Sequence, residues 1–159
     1  MKMKIKSKEA LDIIVRYENK LIDEKALSDW AAHNIEKGIE TESLILLAGL
    51  TPSDFNEASV LLKSVISELG LRWPTKNLLG LAYAKIIAKD ILECRIQPND
   101  GCAMIGEINF DLDWPTELSS FGMLSHEQTD HESIGITSES VIPEIMSAAK
   151  ELANLKIEL

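Results

Sequence analysis

The chain has 159 residues, 45% hydrophobic and 26% charged, with a formal net charge of −10; this is an ordinary globular composition, expected to form one domain over 1–159. Its apolar runs fall well short of the ~20 residues that span a bilayer, and the Lys-rich start lacks the apolar core of a secretory signal. Two cysteines, Cys94 and Cys102, match neither zinc nor redox spacing, so a reducing, cytoplasmic setting is expected.

In chain order, Ser7 is placed to cap a first helix over about 8–21, with Ala10, Ile14, Tyr17 and Leu21 at helical steps. A turn at Ile22–Lys25 leads to a second helix ending at Lys37, with Gly38 as its stop. Its His33 reads as a surface or partly buried residue. Thr41 caps a short apolar helix ended by Gly49. After the turn Thr51-Pro-Ser-Asp, Asn56 is the expected cap of a helix closed by Gly70. Phe55 and Val60 stand at the spacing of a hydrophobic staple.

The helix expected over 75–95 organises the fold. Apolar residues from Leu78 to Leu92 cover nearly its whole circumference, as in a helix surrounded by others. Lys85, Lys89 and Glu93 form its outlet to water, and Gly80, Ala84 and Ala88 form a stripe where a neighbour can approach closely. Pro98 opens the next helix, to about Leu112, with Cys102, Ile105, Ile108 and Leu112 inward and Asp100, Glu107 and Asp111 outward. Pro115 restarts the chain toward Phe121 and Leu124, and 125–137 reads as the longest loop. Ser140 caps a last helix carrying Val141, Ile145, Ala149 and Leu152. The Lys2–Lys6 alternation is the only strand-like stretch, and it has no partner. The class is therefore all-α: an irregular or orthogonal bundle of about seven helices around a buried central helix.

Charge is unevenly placed. From Ile96 to Ala149 there is no Lys or Arg against ten carboxylates, while the first 95 residues balance. Such a field disfavours nucleic acid and anionic membrane and favours cations or basic proteins. No phosphate-binding glycine loop, nucleophile elbow or Cys-x-x-Cys is present, so the chain reads as non-catalytic. The candidate partner surface is Glu107, Asp111, Asp113, Trp114, Glu117, Phe121 and Met123, in which aromatic and methionine anchors sit among acids. Its expected occupant is a basic protein, with a second copy of the chain as the alternative.

The alternative chemistry is a divalent metal, bound structurally or for hydrolysis, held by His126, Glu127, Asp130 and His131 in the 126–132 segment. Zinc-protease spacing places two His four apart on one helix face. Here they are five apart, so on a helix they diverge by roughly 140°, and only a loop could gather them. No other cofactor is expected.

Leu47-Ala-Gly-Leu50, Glu68-Leu-Gly-Leu71, Ile96-Gln-Pro-Asn-Asp-Gly-Cys102 and Asp113-Trp-Pro-Thr-Glu-Leu118 with Phe121 resemble a group of small bacterial all-helical proteins of unassigned function. The resemblance runs from Trp30 to Phe121 and implies a helical fold without a catalytic signature. By analogy of class, it also suggests an immunity- or antitoxin-like role.

Overall fold

Short local signals decide where each helix starts and stops in the computed structural model, which describes residues 3–129 and 132–159. All regular structure among the described residues is helical. The eight α-helices are α1 Ser7–Glu18, α2 Glu24–Glu36, α3 Glu42–Ala48, α4 Ala58–Glu68, α5 Lys76–Leu92, α6 Pro98–Asp111, α7 Ser119–Glu127 and α8 Ile142–Ala153. Short 3₁₀ turns cover Pro52–Glu57, Thr116–Leu118 and Glu132–Ile134. From Met3 to Lys6 the alternating segment is irregular, with Ile5 buried. No described helix is long and apolar enough to cross a membrane.

Thr41 caps α3 as expected, its hydroxyl accepting from the Leu44 N–H at 3.3 Å. Asp23 does the same for α2 through Ala26 at 2.8 Å. Three expected caps are not used. Ser7 lies inside α1, where its hydroxyl donates to the Leu159 carbonyl at 2.8 Å, and Lys6 holds the cap position. Asn56 falls within the 3₁₀ turn, already helical where a cap needs extended backbone; Val60 faces solvent and staples nothing. Ser140 exchanges hydrogen bonds with Thr137 instead: its Oγ accepts from the Thr137 N–H at 2.8 Å, and its N–H donates to Thr137 Oγ1 at 3.1 Å. α8 then begins after Val141, with Pro143 in its first turn.

Helix ends follow one pattern. Behind α1, α2, α4, α5 and α6, the chain turns to positive φ at Lys20, Gly38, Gly70, Cys94 and Asp113 respectively, joined behind α6 by Trp114. The N–H of each of these five, and that of the residue after it, reach back to the last turn, closing the orphan carbonyls in a Schellman arrangement. Only two of the five are glycine. The motif brings the residue after the positive-φ position against the one five earlier. Behind α5 this pair is an ion pair, Arg95 to Asp90 at 2.6 Å.

The chain divides into two compact units, Met1–Thr75 with Glu158–Leu159, and Lys76–Ile157. α5, the helix expected to organise one domain over 1–159, falls in the second unit, and α1–α4 fall in the first. In the first unit Leu27, Leu44, Leu47, Leu62 and Ile66 are sealed from solvent. The Ser43 N–H and hydroxyl both donate to the Glu68 carboxylate, tying the start of α3 to the end of α4.

In the second unit α5 packs on α6 and α8. Ala84, Ile87, Ala88 and Ile91 join Ile105, Ile145, Ala149 and Leu152 in one core. Gly80 makes the close approach expected of its stripe: a methyl there would lie 2.5 Å from Leu112 Cδ1. Lys89 and Glu93 are exposed, whereas Lys85 is half-buried and its Nζ donates to the Leu155 carbonyl.

Candidate functional site

The acidic span is built on α6, the turn after it, and α7. Pro98 opens α6. The reciprocal Asn99–Gln128 amide pair fastens its first turn to the end of α7, with Asn99 Nδ2 donating to Gln128 Oε1 at 3.0 Å and Gln128 Nε2 to the Asn99 carbonyl at 2.9 Å. Two glycines let the helices close together. A methyl on Gly106 would lie 2.7 Å from Ser125 Cβ, and one on Gly122 would run into Asn109 Nδ2 and lie 2.6 Å from Trp114 Cζ3.

This packing sorts the expected partner residues. Glu107, Asp111, Asp113 and Glu117 are exposed, as are Trp114 at 53% and Met123 at 62%. Phe121 is not available as an anchor: at 1% exposure it belongs to the core. Leu118, Phe121 and Leu124 recur every three residues, which turns one face of α7 inward, and that spacing was the signal that could have assigned Phe121 correctly. Phe110, absent from the expected set, is 70% exposed and lines an open depression of about 370 Å³ with Glu107, Asp111 and Ser125. A second groove of about 310 Å³ runs between α7 and α8, where Met123, Leu124 and Ala148 are bordered by Glu127, Glu144 and Glu151.

The metal hypothesis required a loop, and its first half is helical instead. α7 runs through His126 and Glu127, successive residues whose directions differ by about 100°. Asp130 and His131 lie outside the described residues. Among the described residues no three His, Cys, Asp or Glu side chains are placed to hold an ion. The polar residues of 125–129 end a helix, which is why the expected loop is shorter than 125–137.

Asn109, on α6, is fully buried, and both its carboxamide atoms lack a hydrogen-bond partner. It is the residue to which the turn behind α6 returns: the Trp114 N–H donates to the Asn109 carbonyl at 2.9 Å, and the Asp113 N–H to that of Phe110 at 3.1 Å. Asp113 and Trp114 both hold φ near +60°, a conformation costing about 1–2 kcal/mol for a residue with a Cβ. Cys102 is buried on the same helix with its Sγ 3.7 Å from the Phe121 carbonyl. Burial pushes its thiol up to about 12, so it stays protonated at neutral pH and is a poor nucleophile.

The first unit holds a wide depression of about 800 Å³ beside Tyr17, Lys20, Asp23 and Glu24. Burial, and then the neighbouring Glu24 carboxylate, raises the Tyr17 phenol.

Comparison with family models, curated proteins and solved structures finds no match for the chain.

Proposed function

We propose that the chain is a non-catalytic protein-binding module whose α6–α7 face meets a basic protein partner. The observation that carries this reading is the exposure of Phe110, Trp114 and Met123 within a stretch free of Lys and Arg from Ile96 to Ala149. Large apolar side chains amid like charges combine the two requirements of a salt-sensitive interface: anchors that hold, and a field that speeds encounter. The groove between α7 and α8 extends the same chemistry, with a methionine floor between carboxylates. An immunity- or antitoxin-like role for the chain itself belongs to this class.

The test is capture from lysate at low salt, with release near 0.5 M salt, where the screening length falls to roughly 4 Å. The triple reversal Glu107→Lys, Asp111→Lys and Glu117→Lys is expected to abolish capture of a basic protein while leaving the circular dichroism spectrum unchanged. Capture that survives the reversal, or recovery of only the chain itself, overturns the reading.

A further inference from the structure

Asn109 is the one described residue whose buried side-chain nitrogen and oxygen both lack a partner. A buried amide left unpaired is costly, and leucine of nearly the same size would avoid that penalty. The Schellman turn explains how the residue comes to sit where it does. That motif brings an apolar contact between the residue behind the turn and the one five earlier; behind α4 the pair is Leu71 and Ile66, both aliphatic. Behind α6 the corresponding pair is Trp114 and Asn109. Their side chains converge on Gly122, where the absent Cβ leaves room for both the amide nitrogen and the six-membered ring of the indole. The turn that delivers Trp114 is itself strained, with two successive non-glycine residues at positive φ.

We propose that the Trp114 indole is a displaceable cover over Asn109, and that the main chain of the docked partner takes its place. The carboxamide is suited to this role. Its Nδ2–H donates to a peptide carbonyl while its Oδ1 accepts from a peptide N–H, which reads backbone without regard to side chain. Displacement of the ring satisfies the amide and leaves the backbone hydrogen bonds of the turn in place. The surrounding Glu107, Asp111 and Asp113 then select a basic segment over a neutral one. This inference rests on the α6–α7 face being the docking surface.

The test follows the Trp114 indole and Asn109 carboxamide signals in ¹⁵N–¹H spectra of the full chain. The probe is an octapeptide of alternating lysine and valine, with spermine as a cation lacking a peptide backbone. The peptide is expected to shift both signals and to protect the carboxamide protons from exchange, whereas spermine leaves them in place. Asn109→Leu is expected to keep its helical spectrum and to weaken peptide binding at least tenfold. Asn109→Gln, which preserves the amide, should recover part of that loss. If the peptide binds wild type and Asn109→Leu alike, or binds without moving the Trp114 signal, the cover is overturned while the docking face stands. Equal shifts with spermine also overturn it. No binding of the peptide to wild type at low salt overturns both the cover and the docking face.

Discussion

The ends of α4 and α6 are closed by the same pair of backbone hydrogen bonds and differ in what the turn contains. Behind α4, Gly70 takes the positive φ without strain, and Leu71 returns to Ile66 at 3.0 Å. Behind α6, Asp113 and Trp114 share the strain, and the ring returns to an unpaired amide. One end is built for stability alone. The other gives up stability at the point where an aromatic side chain meets solvent in an acidic field, and locally unfavourable choices of that kind gather at functional surfaces.

Matched substitutions at the two paired positions give the largest contrast. Ile66→Ala, at a sealed aliphatic site, is expected to cost about 2–5 kcal/mol in a urea melt. Asn109→Leu is expected to raise stability, by about 1–2 kcal/mol, because an unpaired buried amide is removed. A loss on Asn109→Leu would mean that the amide is already satisfied, and the contrast between the two ends would disappear. Smaller effects of the same opposite sign are expected at the turn residues. Gly70→Ala should lower stability by about 1 kcal/mol, since it adds a Cβ at φ +74°. Asp113→Gly should raise it by a few tenths of a kcal/mol, strain relief being partly offset by the greater freedom of glycine in the unfolded chain.

The smallest difference depends on pH. Glu68 closes α4 and receives the start of α3; slight burial raises its pKa, but hydrogen bonds from Thr41 and Ser43 outweigh this and hold it below the usual carboxylate value. A folded pKa below the unfolded one contributes stability that is fully present above the unfolded value, 4.5, and lost as pH falls through the folded value. Glu68→Gln should remove this acid-side slope and cost about 0.5 kcal/mol at pH 7. Thermal melts of both proteins from pH 7 down to 3 check it, and parallel curves would show that the carboxylate stabilises nothing.

Much of the fold was legible because its signals are local. Gly38 and Gly70 announce their turns, since glycine alone adopts positive φ freely; Pro98 opens α6, and the apolar circumference of α5 marks a helix packed on several sides. Lys20 and Cys94 were not legible as positive-φ residues, because a strain of about 1–2 kcal/mol is carried by packing elsewhere in the chain and leaves no mark in residue type.

The same division runs through the candidate site. Composition determined the acidic field from Ile96 to Ala149 and the aromatic and methionine residues within it. Only the tertiary structure decided which of these meet solvent. Phe121 went inward with Leu118 and Leu124, Phe110 and Trp114 stayed outside, and His126 and Glu127 were drawn into α7. Local preference sets where a helix begins and how it ends, but the exposure of a side chain depends on which neighbour covers it. The meeting of Asn109, Gly122 and Trp114 lay beyond any sequence pattern, because it requires α6 and α7 to be in contact before the three residues share a surface.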